Sequence, residues 1–161
     1  MRPAAAVRSF FLCLLALTLA PISSDAFTFT QIDIPGATST LAAGINRQGQ
    51  IVRLFIADGV GHGFLLDPDG TVTTIDVPDA VSTSAAGMNR QGQLVGSYLD
   101  DRDLDHAFLL DQGTFTSFDV PGADRTHALG INHRGKIVGD WESENSNSRG
   151  FLRRPNGRFK T

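Results

Sequence analysis

Three groups of side chains in this sequence could do chemistry, and in each the spacing defines what chemistry that is. Asp101, Asp103 and Asp105 stand at alternate positions in the run Asp100-Asp101-Arg102-Asp103-Leu104-Asp105. Hard carboxylate oxygens at that spacing open a calcium loop, so these three are the calcium candidates. A complete loop of that kind has glycine sixth and glutamate twelfth, where this chain has His106 and Gln112. A solvated hairpin loop is therefore the expected role, and no cofactor is assigned. His62 and His106 recur at equivalent places, with Arg149 as their third counterpart. Imidazole and guanidinium share N–H donors, so donation to a neighbouring turn carbonyl fits all three, whereas a metal site does not survive the change to arginine. His127 and His133 stand near each other without a third ligand at zinc spacing. Asp33, Asp76 and Asp119 form the third group, each two residues before a proline. They are expected to accept hydrogen bonds from turn N–H groups. The functional alternative is a ring of carboxylates around a central channel, able to bind cations or sugar hydroxyls. No Gly-x-Ser-x-Gly elbow or phosphate-binding glycine loop occurs.

These residues recur because the chain recurs. Ile32-Asp33-Ile34-Pro35-Gly36-Ala37 returns as Ile75 to Ala80 and as Phe118 to Ala123, a period of 43 residues both times. Gly44-Ile45-Asn46, Gly87-Met88-Asn89 and Gly130-Ile131-Asn132 keep the same interval. Self-similarity at such a period marks a repeat architecture. The repeats are assigned to residues 27–69, 70–112 and 113–156, with 157–161 as the stub of a further one.

Each unit reads as four short strands. The first, Phe27 to Ile34 with its copies Thr71 to Val77 and Thr114 to Val120, is rich in Thr, Phe, Val and Ile and stops at proline. Pro-Gly then fits a type II turn, with Asp79 in place of the glycine predicting an adjusted turn in the second repeat. The second, Leu41 to Ile45 and its copies, has small residues that admit a neighbouring backbone. It ends in a turn with Asn46, Asn89 or Asn132 first and glycine fourth, a type I preference. The third carries one large aromatic per repeat, Phe55, Tyr98 or Trp141, placed for the core; the fourth begins at His62, His106 or Arg149. Four strands per repeat of this length match a β-propeller blade. The expected fold is all-β, an open arc or partial propeller of three blades. Arg53 and Arg153 replace apolar or glycine residues of the other units, as solvent-facing ends of a stack would.

Residues 1–26 differ in kind. Arg2 and Arg8 precede an apolar run from Phe10 to Ala20, and Ser24-Asp25-Ala26 offers small residues for cleavage. That is a signal peptide, too short in its apolar part to span a bilayer as a helix. Cys13, the single cysteine, lies within it, so residues 27–161 form no disulfide. Export to the periplasm or extracellular space follows, without a membrane span in the mature chain. A net charge of −3 with no basic stripe excludes the nucleic-acid class.

The phrases Gly-Ile-Asn, Gly-Gln-Leu-Val-Gly, His106-Ala107-Phe108 and Phe118-Asp119-Val120-Pro121-Gly122-Ala123 together resemble the bacterial extracellular HAF repeat family over residues 27–161. The resemblance implies a secreted or cell-surface repeat protein. Some such relatives end in a Pro-Glu-Pro sorting tail with an apolar helix; the sequence after Arg153 has neither, which favours a free product. The expected function is a non-enzymatic module presenting loops to an extracellular protein or carbohydrate, with a homo-oligomer completing a ring. The alternative is a polysaccharide hydrolase or lyase with carboxylates near a propeller axis.

Overall fold

Short runs of β-branched and aromatic residues, each ended by glycine, asparagine or proline, fold here into strands of two to eight residues. The computed structural model describes residues 29–144 and 146–161. The expected signal peptide, Cys13 and Phe27 lie outside the described residues. Gln31–Thr161 forms one unit of three four-stranded antiparallel sheets. The first holds β1 (Ser39–Ile45), β2 (Ile51–Ala57), β3 (Val60–Leu66) and β4 (Val72–Ile75) in that order. The second holds β5 (Ser82–Met88), β6 (Leu94–Leu99), β7 (Asp105–Asp111) and β8 (Thr114–Phe118). The third holds β9 (Arg125–Ile131), β10 (Ile137–Ser143), β11 (Ser146–Arg153) and β12 (Phe159–Lys160). The described residues contain no helix, and the arc of sheets is open.

The sheets begin about ten residues later than the repeat boundaries read from sequence. Thr71 to Val77 and Thr114 to Val120 supply β4 and β8, the last strands of their sheets rather than the first of the next. The cause is the connection. Asp67 and Gly70 close a tight turn that folds β4 back on β3, with Gly70 N–H donating to Asp67 O at 2.9 Å. Pro78 then ends the ladder. The supposed stub 157–161 likewise contains β12, which pairs with β11 and completes the third sheet. The expected first strand has no partner among the described residues: 29–38 carry no strand, and Phe29 is fully accessible.

The proline turns recur with one geometry. Ala37, Ala80 and Ala123 donate to the carbonyls of Ile34, Val77 and Val120 at 3.0, 3.2 and 3.0 Å. Asp79 adopts φ 63°, beside 83° and 81° for Gly36 and Gly122, so the second turn is not adjusted as expected. Aspartate tolerates the left-handed region better than most side chains, which is why the turn survives the exchange.

The sheets stack face to face. Val52 and Ile75 of the first meet Ala85, Leu94 and Phe108 of the second. Val95, Ala107 and Val120 meet Ala128, Ile137 and Phe151 of the third. Phe108 and Phe64 are wholly buried, each contributing about 1.5–3 kcal/mol by removal of its ring from water. Successive first strands touch, β1 against β5 and β5 against β9. A Cβ on Gly44 would come within 2.7 Å of Ala86 O, and one on Gly87 within 3.0 Å of Gly130 Cα. Small residues are therefore required on these inner strands, as their composition predicted.

Arg153 departs from expectation. It lies over the Phe118 ring at 4.4 Å, against the second sheet and not at a free end. Burial pushes its guanidinium pKa down, and the ring face supplies a partner for the cation. Arg53 pairs across the ladder with Phe64, on the face of the first sheet turned away from the second.

Candidate functional site: the turn end of the inner strands

The three Asn-to-Gly turns gather at one end of β1, β5 and β9 and border an open cavity of about 260 Å³. Its walls are Ile45, Met88 and Ile131, and its rim carries Asn46, Arg47, Asn89, Arg90 and His133. Each turn is built the same way. Asn46 Oδ1 accepts from the N–H groups of Gln48 and Gln50 at 3.0 Å each. Asn89 and Asn132 repeat the arrangement with Gln91 and Gln93, and with Arg134 and Lys136. Gly49, Gly92 and Gly135 then take φ 79°, 80° and 67°, as the type I reading expected. The spare amide hydrogens tie neighbouring turns together: Asn46 Nδ2 reaches Met88 Sδ at 3.1 Å, and Asn89 Nδ2 reaches Asn132 O at 3.2 Å. Gln91 Nε2 adds a bond to His133 O at 2.9 Å.

With the asparagines thus engaged, the next residue of each turn is left facing solvent. These are Arg47, Arg90 and His133, all exposed, and none hydrogen-bonds through its side chain to another described residue. Among the described residues no carboxylate lines the cavity. Two guanidinium groups and an imidazole thus stand around an apolar floor, and arginine's planar fork is of a geometry that matches a carboxylate. Sequence reasoning missed Arg47 and Arg90 and weighed His133 only as a zinc ligand; the signal was a nitrogen-bearing side chain after every turn asparagine, at the same 43-residue interval.

The carboxylates singled out from sequence lie at the other end of the strands. Asp76 and Asp119 do not accept from turn N–H groups. They lie 2.9 and 2.8 Å from the Nδ1 atoms of His62 and His106, which therefore meet carboxylates and not turn carbonyls. The turn N–H groups of Ile34, Val77 and Val120 go instead to the hydroxyls of Thr40, Thr83 and Thr126. Among the described residues Asp33 bonds only Gln31. Asp76 and Asp119 sit past the outer strands β4 and β8, and Asp33 precedes β1, so the three do not line the inner strands. Phe55 stacks on His62 and Tyr98 lies tilted against His106, with centroids 5.2 and 5.3 Å apart, and Arg149 lies 5.7 Å over Trp141. These aromatics hold rim side chains and also serve the core, Phe55 buried within it and Tyr98 and Trp141 half-buried against it.

His106 is bracketed by two carboxylates, with Nε2 3.3 Å from Asp100. Burial draws its pKa down, but the hydrogen bonds and charges of Asp119 and Asp100 outweigh that and leave it raised. Asp100 is held far below the usual carboxylate range, chiefly by the Leu104 N–H, with Arg102 and His106 adding to it. His127 repeats the bracket between Asp140 at 2.8 Å and Asp105 at 3.5 Å.

The calcium candidates do not converge. Asp105 binds Arg125 at 2.6 Å, Asp103 takes φ 66°, and Asp101 is exposed. The loop is organised by Asp100, which accepts from Arg102 and Leu104 N–H groups. Among the described residues no three His, Cys, Asp or Glu side chains are grouped to hold a metal.

Two solved structures resemble this arrangement. TolB from Acinetobacter baumannii superposes with a TM-score of 0.60 at 16% identity, over 78% of this chain and 32% of that one. A streptogramin B lyase does so with a TM-score of 0.50 at 16% identity, over 80% and 41%. Both are β-propeller proteins. The fold is a propeller-like arc. This chain spans about a third and two fifths of their lengths, and identity at that level speaks for architecture alone. No family model and no curated protein matches the chain. No helix among the described residues is long and apolar enough to cross a membrane.

Proposed function

We propose that the chain is an exported, non-enzymatic binding module of HAF-repeat type whose ligand seat is the turn end of the inner strands. The observation that carries this reading is a repeated cation without a repeated partner: Arg47 and Arg90, with His133, around one cavity free of carboxylates. An acidic peptide segment of an extracellular protein fits best, its carboxylates on the arginines and its apolar side chains on Ile45, Met88 and Ile131. The signal-like sequence of residues 1–26 supports export. Poly-glutamate and polygalacturonate are the probes. Binding of poly-glutamate that weakens about tenfold between 50 and 300 mM salt, and is lost in the Arg47→Ala, Arg90→Ala double variant, supports the reading. Equal binding by the variant rules it out. Preferential binding of polygalacturonate moves the ligand to the carbohydrate class, and its cleavage establishes the hydrolase or lyase alternative.

A further inference from the structure

The two outer faces of the arc are complementary to each other, and each lacks in this chain what the other offers. Between sheets, β5 lies on β2 and β3, and β9 lies on β6 and β7. In those seats Val52 and Val95 are 1% and 0% exposed, and Ala85 and Ala128 on the covering strands are 0% and 1% exposed. On the third sheet the equivalent valine, Val138, is 47% exposed. A cavity of about 300 Å³ opens beside it, lined by Gly130, Ile131, Lys136 and Leu152 among others. A Cβ on Gly63 would meet Ile75 O at 2.6 Å, whereas one on the equivalent Gly150 meets nothing nearer than 3.9 Å. At the other end of the arc, β1 is the covering strand with no sheet beneath it among the described residues, Ile34 closing over Phe55 and Phe64 on that face. Its Ala42 is accessible, and Leu41 and Ile45 are exposed.

The charges tell the same story. His62 has Asp76 and His106 has Asp119. Among the described residues Arg149, their counterpart, stands on Trp141 with no carboxylate in ion-pair reach, and the buried Trp141 indole N–H has no acceptor. Asp33, the counterpart of Asp76 and Asp119, is exposed and has no cationic partner among the described residues. The unpaired base lies on the last sheet and the unpaired acid just before the first.

We propose that a second copy of this chain docks head to tail. β1 of one copy seats on β10 and β11 of the other, as β5 and β9 seat on the sheets before them, and Asp33 of one copy reaches Arg149 of the other. Two such contacts, related by a two-fold axis, join the arcs into a ring of six sheets, within the four to eight of closed propellers. This goes beyond the ligand reading and does not depend on it.

The test uses the full chain, with mass read by size exclusion and light scattering and folding checked by circular dichroism. The wild type is expected at twice the mass of one chain. Arg149→Asp and Asp33→Arg alone each place like charges at both contacts, weakening the dimer roughly 100-fold. Mixed in equal amounts, the two variants restore opposite charges at both contacts and return to the dimer, an outcome that a folding defect cannot produce. A wild type at the mass of one chain, assemblies larger than two chains, or single variants that dimerise like the wild type each overturn the proposal.

Discussion

The two ends of the strands both repeat in register, but they repeat different things. At one end the repeated residue comes with a repeated partner: His62 with Asp76, His106 with Asp119. At the other the asparagines satisfy the turns, and the side chains after them, Arg47, Arg90 and His133, repeat with no partner from the described chain. Recurrence therefore does not distinguish structure from function. A repeated group that is answered within its own repeat holds the fold, and a repeated charge left unanswered is available to a ligand.

Substitutions at the two ends should separate these roles. The largest effect is expected at Asn89, which is buried and bonds two turn N–H groups, Gln93 and the neighbouring turn. Asn89→Ala leaves those N–H groups unanswered and should cost about 2–3 kcal/mol of unfolding free energy, read by urea denaturation. Asn46→Ala, in a more accessible turn, should cost less.

At the opposite end, His106→Ala should cost about 1 kcal/mol near pH 6, and the loss should depend on pH. The His106 pKa is raised in the folded state by Asp119 and Asp100 against the opposing burial. Its contribution is then fully present below the unfolded value of about 6.5 and fades as pH rises through the folded value. The gap between wild type and variant should be wide at about pH 5.5 and narrow at about pH 8.5; a gap that widens with pH would refute the pairing. Asp100 has the opposite sign. Its pKa is depressed, first by the Leu104 N–H, so its contribution holds above about pH 4 and fades as pH falls further. The smallest stability effect is expected at the cation rim, where Arg90→Ala should change unfolding by less than about 0.5 kcal/mol while weakening ligand binding.

Much of the architecture was legible in local residues. Asn first and Gly fourth marked the hairpin turns, small residues marked the close-packed inner strands, and Pro-Gly marked the turn between sheets. The starting point of each sheet was not legible, because a periodic sequence has no internal origin and strand pairing is not local. That single shift hid the main polar contact. With Ile32-to-Ala37 and its copies read as opening a unit, His62 and Asp76 belonged to different repeats. With β3 and β4 as a hairpin, the Gly63–Ile75 pair places them side by side. The cation rim was hidden for another reason: which hairpin turn faces the inside of the arc depends on β1, β5 and β9 touching, a fact of packing and not of any one turn's residues.

The most direct measurement is an amide chemical-shift titration of the isotope-labelled protein with poly-glutamate. Perturbations should concentrate on residues 45–49, 88–92 and 131–135, the three turns around the cavity. Perturbations that leave those turns unmoved and gather instead around His62, His106 and His127 would contradict the assignment of the ligand seat and place recognition at the end where acid and base already answer each other.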